Sequence, residues 1–215
     1  EELARKVSNA YTYGNRPNGI ATAQADFDDV SDLILPQKPK DKLYWVSTED
    51  ISANLDQVHL IEDLLNQEGM SVIYGESNTG KTFVALKLAY CIATGTRFGD
   101  RRTEQGAVVY VAAEGGRSVL DRVQGLKQYF ELEKFDLAIV PCSVDLLHPN
   151  GDTEELIDLI EDVSRNKGKV KFVIIDTLSR ALSGGNENSP DDMGIFVKHV
   201  TKIQHALKTH ICIIH

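Results

Sequence analysis

The chain has 215 residues, of which 42% are hydrophobic and 26% are charged, and its formal net charge is −9 at pH 7. These proportions are ordinary for a globular domain, and no apolar run is long enough for a membrane span or is typical of a secretory signal. The acidic balance argues against a broad nucleic-acid-binding face, which needs clustered Lys and Arg, but it leaves room for contacts through a few loops.

The first 45 residues are predicted to be separate from the rest of the chain. A short helix is expected over residues 1–14, with a break at residues 14–19, because Gly, Asn and Pro interrupt the pattern there. Residues 21–45 are acidic and then rich in proline and lysine, which is typical of a linker. Because the chain begins without Met and stops within an apolar run, we expect a fragment of a longer protein. The folded domain is expected over residues 46–215, truncated at its C-terminal end.

From residue 70 onward, short apolar runs alternate with longer helical stretches. A short strand and turn over residues 59–65 is expected to lead into this pattern. Strands are predicted at 70–74, 106–113, 137–140, 171–176 and 211–214, and helices at 83–93, 118–130, 152–163 and 190–208. The first strand is expected to be buried, Asp152 to cap its helix and Leu159 to face inward. The alternation predicts an α/β fold with a mainly parallel sheet flanked by helices on both faces.

A phosphate-binding loop is predicted over residues 75–82, which match G-x-x-x-x-G-K-[ST] at every fixed position. Its glycines let successive N–H groups point at phosphate oxygens. Lys81 is expected to reach the β- and γ-phosphates, and the Thr82 hydroxyl to bind Mg²⁺. The alternative, a chance glycine-rich turn, is disfavoured by the flanking strand and helix. The predicted ATP contacts are Gly75, Glu76, Ser77, Asn78, Thr79, Gly80, Lys81, Thr82 and Phe83.

Two carboxylates stand at strand ends and are predicted to complete this site. Asp176 ends an apolar strand and can hold Mg²⁺ through water. Glu114 follows the strand after the phosphate-loop helix, at the sheet edge where ligands of open α/β sheets bind, and can accept the proton of an attacking water. A surface Glu that starts a glycine-flanked turn is the alternative for Glu114.

Other polar residues near the same edge carry weaker predictions. His215 ends the last strand and is either a γ-phosphate sensor or a satisfied histidine at a strand terminus. Arg180 either binds phosphate or DNA, or pairs with a carboxylate such as Glu187. Solvated faces or subunit contacts are expected for Arg101, Arg102, Arg117 and Arg122. The three cysteines, Cys91, Cys142 and Cys212, are predicted to be small buried side chains in a reducing cytoplasm.

Taken together, the segments YGESNTGKT, VVYVAAEGG, KFVIIDTLSRALSGGNENSPDDM and CIIH resemble RecA-like ATPases of the RepA type. These are hexameric replicative helicases of plasmids and phages. The resemblance implies a RecA-like P-loop core, ATP and Mg²⁺, phosphate binding by Lys81 and Thr82, metal support by Asp176, catalysis by Glu114 and sensing by His215. The segment VSNAYTYGNRPNGIATAQADF also resembles the tail of a primase-associated region.

The resemblance implies single-stranded DNA, a hexameric ring and a primase as partners, and a location in the bacterial cytoplasm without membrane contact. The polar loop 183–191 would face the central channel, yet it carries no Lys or Arg. Two other classes therefore stay open. One is a RecA-like ATP-dependent switch that controls assembly with partner proteins without unwinding DNA. The other is a metabolic P-loop kinase, ranked last because no Arg-rich lid segment is evident.

Overall fold

The computed structural model describes residues 47–48, 59–114 and 116–215. The chain divides into two units, residues 1–57 and 58–215, and every element described below belongs to the second. The predicted N-terminal helix and linker lie outside the described residues, as does Gly115 of the predicted turn after Glu114.

Seven strands and five helices are described in this unit. The strands are β1 His59–Ile61, β2 Leu65–Asn66, β3 Gly69–Ile73, β4 Ala107–Ala112, β5 Leu137–Val140, β6 Val170–Asp176 and β7 His210–Ile214. The helices are α1 Lys81–Thr94, α2 Gly116–Tyr129, α3 Thr153–Lys167, α4 Leu178–Ala181 and α5 Pro190–Leu207. Each predicted strand and helix between residues 59 and 215 is present, with β2 and α4 as additions that the sequence pattern did not predict.

The main sheet contains five strands in the order β3-β7-β6-β4-β5. All four strand pairings in it are parallel, whereas β1 and β2 form a separate antiparallel pair. Strand β7 lies between β3, which leads into the phosphate loop, and β6, which ends at Asp176. The carboxyl ends of all five strands therefore meet at one edge of the sheet. The predicted α/β class with a mainly parallel sheet is confirmed.

Helices cover both faces of this sheet, because the central strands are apolar on both sides. In β4, Val109 and Val111 face a core shared with α3 and α5. The alternate residues Val108 and Tyr110 face a second core built with α1, β1 and β2. Such two-sided burial is typical of parallel sheets.

Strand β3 departs from the prediction of a buried strand. It lies at the end of the strand order and pairs only with β7. Met70 is 42% and Val72 is 56% exposed, whereas Ile73 packs against the second core. An apolar run predicts a strand but does not specify whether the strand is central or at an edge.

Two details of α3 also differ from the predictions. The Asp152 side chain does not cap the helix and instead accepts a hydrogen bond from the Asp145 backbone N–H, at 2.7 Å. Leu159 is 36% exposed rather than inward-facing, whereas Leu156 and Ile160 are buried. For α5 the predicted Pro190 in the first turn is confirmed, and the Ser189 side chain caps that helix by accepting from the Asp192 N–H.

Among the residues that the structure describes, no helix is both long and apolar enough to cross a membrane.

Candidate nucleotide-binding site

The phosphate loop connects β3 to α1 and contains two left-handed backbone positions. Gly80 has φ 92° immediately before α1, and Asn78 has φ 65°. Glycine adopts this conformation without the steric cost of a Cβ, and Asn tolerates it better than most residues. Within the loop, the Thr79 hydroxyl donates to the Glu76 carbonyl oxygen at 2.8 Å. The fixed Gly80 of the motif therefore serves the turn that directs the chain into α1.

Lys81 folds back onto its own loop. Its Nζ donates to the carbonyl oxygens of Gly75, at 2.6 Å, and Glu76, at 2.9 Å. An ammonium group carries three donors and no acceptor, so these contacts keep a positive charge above the loop. Phosphate oxygens at this position would replace neutral carbonyl partners with charged ones, and charge-assisted hydrogen bonds are the stronger type.

Asp176 lies at the carboxyl end of β6 and is held by two hydroxyl groups. Its Oδ2 accepts from the Thr82 hydroxyl at 3.2 Å and from the Tyr110 hydroxyl at 2.5 Å. The side chain is buried, and burial raises the pKa of Asp176 although both hydrogen bonds oppose the shift. Burial also raises the pKa of Tyr110, with a further contribution from the Asp176 charge, so Tyr110 stays a neutral donor. The carboxylate consequently has two hydroxyl partners, and a cation bound beside it would favour its charged form.

The pairing of Thr82 with Asp176 suits Mg²⁺, because hydroxyl and carboxylate oxygens are the hard ligands that this cation prefers. No group of three or more His, Cys, Asp or Glu side chains that could hold a metal occurs within residues 59–114 and 116–215. A Mg²⁺ ion here would therefore depend on these two side chains, water and the phosphates of the nucleotide, as is common for this metal.

Glu114 lies just beyond the end of β4 and is exposed at the same edge of the sheet. Its Oε1 accepts a hydrogen bond from the Thr177 hydroxyl at 3.1 Å. The adjoining backbone is joined to β6 by a hydrogen bond from the Ala113 N–H to the Asp176 carbonyl oxygen, at 2.7 Å. Glu114 thus lies near Asp176 although the two residues are far apart along the chain.

A cleft of about 540 Å³ runs along this edge and brings most of the predicted site residues together. Its lining includes Lys81, Thr82, Glu114, Asp176 and His215. Of the predicted ATP contacts, the cleft is also lined by Gly75, Ser77, Asn78, Gly80 and Phe83, whereas Glu76 and Thr79 are not part of its wall.

His215 connects the phosphate loop to the polar loop that precedes α5. Its carbonyl oxygen accepts from the Gly75 N–H at 3.1 Å, and its ring lies 5.1 Å from the Tyr74 ring. On the other side, His215 Nδ1 lies 3.8 Å from the Glu187 carboxylate. The sequence also allowed Arg180 to pair with Glu187. Among the described residues, these two side chains form no ion pair.

A comparison with protein-family models matches residues 36–215 to an AAA domain. The chain belongs to the AAA domain family. The match spans every element of the sheet and all the residues that line the cleft. A comparison with curated proteins found no match. Membership in this P-loop family supports nucleotide binding and ATPase activity, and such ATPases generally use ATP with Mg²⁺.

One cleft residue of the AAA domain departs from part of its sequence prediction. For Arg122 the sequence predicts a solvated face or a subunit contact. The side chain is half-buried and lines the cleft, so the solvated face is wrong, whereas the subunit contact stays a prediction. Its guanidinium lies over the Phe83 ring, with Cζ 5.2 Å from the ring centroid. Arg122 follows Val119, the buried residue of α2, by three residues, and residues three apart lie on the same helix face. This spacing is the signal in the sequence that could have placed Arg122 on the inner side of the helix. Arg117, on the same helix, is exposed and does not line the cleft.

The neighbouring arginines Arg101 and Arg102 behave as the sequence predicted for a solvated face. Arg102 pairs with Glu62 at 2.9 Å and Arg101 lies 3.7 Å from Asp63, and neither arginine lines the cleft. Both arginines are exposed on the AAA domain and lie outside the candidate site.

Proposed function

We propose that this AAA domain is the ATP-hydrolysing motor of a RepA-like replicative DNA helicase, which moves along single-stranded DNA as a hexameric ring. The observation that supports it best is the grouping of the phosphate loop, two carboxylates and a histidine along one cleft. A phosphate loop, a carboxylate beside the metal position and a carboxylate that can accept a proton match the parts that hydrolysis of a nucleoside triphosphate uses.

In this proposal the residues of the cleft have separate roles. Lys81 leaves the carbonyls of its own loop and binds the β- and γ-phosphates, with the loop N–H groups around it. Asp176 and Thr82 hold Mg²⁺, which supplies charge neutralisation at the phosphates. Glu114 takes a proton from the attacking water, and the solvent exposure of Glu114 is compatible with that role.

The link through His215 supports coupling between the cleft and the polar loop. His215 lies between Gly75 of the phosphate loop and Glu187, so a change at the γ-phosphate can alter the position of residues 183–189. A nucleotide sensor would need this contact to change between the ATP-bound and the hydrolysed state. In the helicase, the moving loop would line the DNA channel.

A second function is favoured by the chemistry of that loop. Residues 183–189 contain Glu187 and no Lys or Arg, and two further carboxylates, Asp191 and Asp192, follow in the first turn of α5. Such a loop has no cation for the DNA backbone. A RecA-like switch, in which the ATP state controls assembly with partner proteins without unwinding, would use the same cleft and no DNA.

The N-terminal residues enter the proposal only through their sequence. Residues 1–45 would be a linker and the tail of a primase-associated region, preceding an ATPase domain over residues 46–215, and a primase would then be a partner of the ring.

The test uses the full-length protein. The helicase proposal expects single-stranded DNA to raise the rate of ATP hydrolysis and ATP to support strand separation of a forked duplex. The Glu114→Gln variant serves as the control for ATP-dependent unwinding. ATP hydrolysis that is indifferent to DNA, together with ATP-dependent binding of another protein, would instead establish the switch.

A further inference from the structure

The catalytic assignment leaves open what fixes the direction of the Glu114 carboxylate. The residue is exposed, and a Glu side chain has three rotatable bonds between its backbone and its carboxylate. An unrestrained carboxylate would sample many positions in water. A proton acceptor in hydrolysis must instead lie within hydrogen-bond reach of one particular water molecule.

Thr177 provides a restraint on this carboxylate. It follows Asp176 directly, lines the cleft, and donates its hydroxyl hydrogen to Glu114 Oε1 at 3.1 Å. We propose that Thr177 is a positioning residue that aims Glu114 at the attacking water. The inference rests on the proposed function, because it assumes that Glu114 is the base.

The backbone around this bond is already fixed by other contacts. Ala112 and Asp176 are register partners in β4 and β6, and the Ala113 N–H donates to the Asp176 carbonyl oxygen at 2.7 Å. On the opposite side, the Ser143 hydroxyl donates to the Ala113 carbonyl oxygen at 3.1 Å. The ends of β4 and β6 are therefore held together without the Thr177 side chain. The specific effect of the Thr177 hydroxyl is consequently to orient the Glu114 carboxylate.

The chemistry requires one oxygen of the carboxylate to be held and one oxygen to react. During hydrolysis an O–H bond of water breaks and its proton passes to Glu114. The water oxygen forms a bond to the γ-phosphorus, and the bond from that phosphorus to the oxygen of the leaving ADP breaks. A hydroxyl on Oε1 restricts rotation of the carboxylate while the second oxygen receives the proton. Correct orientation of a catalytic group is worth roughly one to two orders of magnitude in rate.

The first experiment replaces Thr177 in the full-length protein and measures steady-state ATP hydrolysis. Thr177→Val keeps the shape of the side chain and removes the hydroxyl, so kcat should fall about tenfold while KM for Mg-ATP stays unchanged. Thr177→Ser retains the hydroxyl and should restore most of kcat. Ser143→Ala is the matched control, because it removes a hydroxyl bond to the same segment without touching the carboxylate, and it should leave kcat near the parent value.

The second experiment tests whether Thr177 acts through Glu114. In the Glu114→Gln background the base is gone, so adding Thr177→Val should cause no further loss of rate. A purely structural role would lower the rate equally in both backgrounds. Thermal unfolding of each variant, with and without Mg-ATP, checks that the fold and nucleotide binding persist.

The outcomes separate the two proposals. If Glu114→Gln hydrolyses ATP at the parent rate, the assignment of the base fails in the proposed function. If Glu114→Gln is inactive but Thr177→Val retains the parent kcat, the positioning role of Thr177 is wrong. An equal loss in Thr177→Val and Ser143→Ala, or the same loss when Thr177→Val is added to Glu114→Gln, also overturns it.

Discussion

Carboxylate side chains near the two ends of the main sheet have different hydrogen-bond partners. At the amino end, Glu62 pairs with Arg102 at 2.9 Å, and Glu104 pairs with Lys171. At the carboxyl end, Asp176 accepts from the hydroxyls of Thr82 and Tyr110, and Glu114 accepts from the hydroxyl of Thr177. Within residues 59–114 and 116–215, no ion pair with Lys or Arg involves these two carboxylates.

This difference in partners distinguishes carboxylates that stabilise the fold from carboxylates that are available for binding or catalysis. The hydrogen bond from Arg102 lowers the pKa of Glu62 to about 2, so its charge is already compensated. Burial raises the pKa of Asp176, and its two hydroxyl partners oppose this shift without adding a positive charge of their own. A carboxylate that is oriented by hydroxyls can still bind a metal ion or accept a proton. Polar residues at the amino end are accordingly expected to affect stability, and those at the carboxyl end to affect activity.

The largest effect is expected when the two carboxylates of the cleft are neutralised separately. Glu114→Gln in the full-length protein should bind Mg-ATP and lose hydrolysis by a factor on the order of 10² or more, because the amide cannot take a proton. Asp176→Asn should instead make ATP binding insensitive to Mg²⁺, since the link of the metal to the site is weakened. Titration calorimetry with and without Mg²⁺, combined with ATPase rates, distinguishes the two. Identical defects in both variants would contradict the division of roles.

An intermediate effect is expected for Arg122, the cation over Phe83 in the cleft. Arg122→Gln removes a positive charge facing a polyanionic ligand, so KM for Mg-ATP should rise about three- to tenfold. Arg117→Gln is the matched control, because Arg117 is on the same helix but outside the cleft lining. Steady-state kinetics at two salt concentrations would check that the difference is electrostatic. An equal change in KM for both variants would place the effect outside the cleft.

The smallest effect belongs to the amino end, at His210. This ring is buried, its Nδ1–H donates to the Asn66 carbonyl oxygen at 2.8 Å, and its Nε2 lies 2.9 Å from the Ser71 hydroxyl. Burial lowers the pKa of His210 below its ordinary value of 6.5. As the pH falls below about 6.5, the unfolded chain binds a proton that the folded ring does not, so stability should decrease.

One proton limits the slope to about 1.4 kcal/mol per pH unit. The measurement is denaturant unfolding of the parent and of His210→Asn between pH 7.5 and 5, with His205→Gln as a control at an exposed histidine. The His210 variant should lose part of the pH dependence. Unchanged pH dependence in His210→Asn would show that this ring is not the titrating group.

Much of the fold was predictable because its signals are local in the sequence. The alternation of apolar runs and helical stretches identified every strand of the main sheet, since each strand is a short apolar run, and the central strands are apolar because both of their faces are buried. The phosphate loop was identified for a similar reason. Its chemistry is set by eight consecutive residues, from Gly75 to Thr82, whose backbone conformation depends mainly on one another.

The sequence alone did not determine how distant segments meet. Periodicity does not give the order of the strands, so only the structure showed that β3 is an edge strand with Val72 exposed. The sequence also did not show which of two backbone partners the Asp152 side chain would choose. In the structure it accepts a hydrogen bond from the Asp145 N–H instead of capping α3. The contact of Thr177 with Glu114 joins residues 63 positions apart. It exists because β4 and β6 are neighbours in the sheet, and that pairing is decided by the packing of the whole domain.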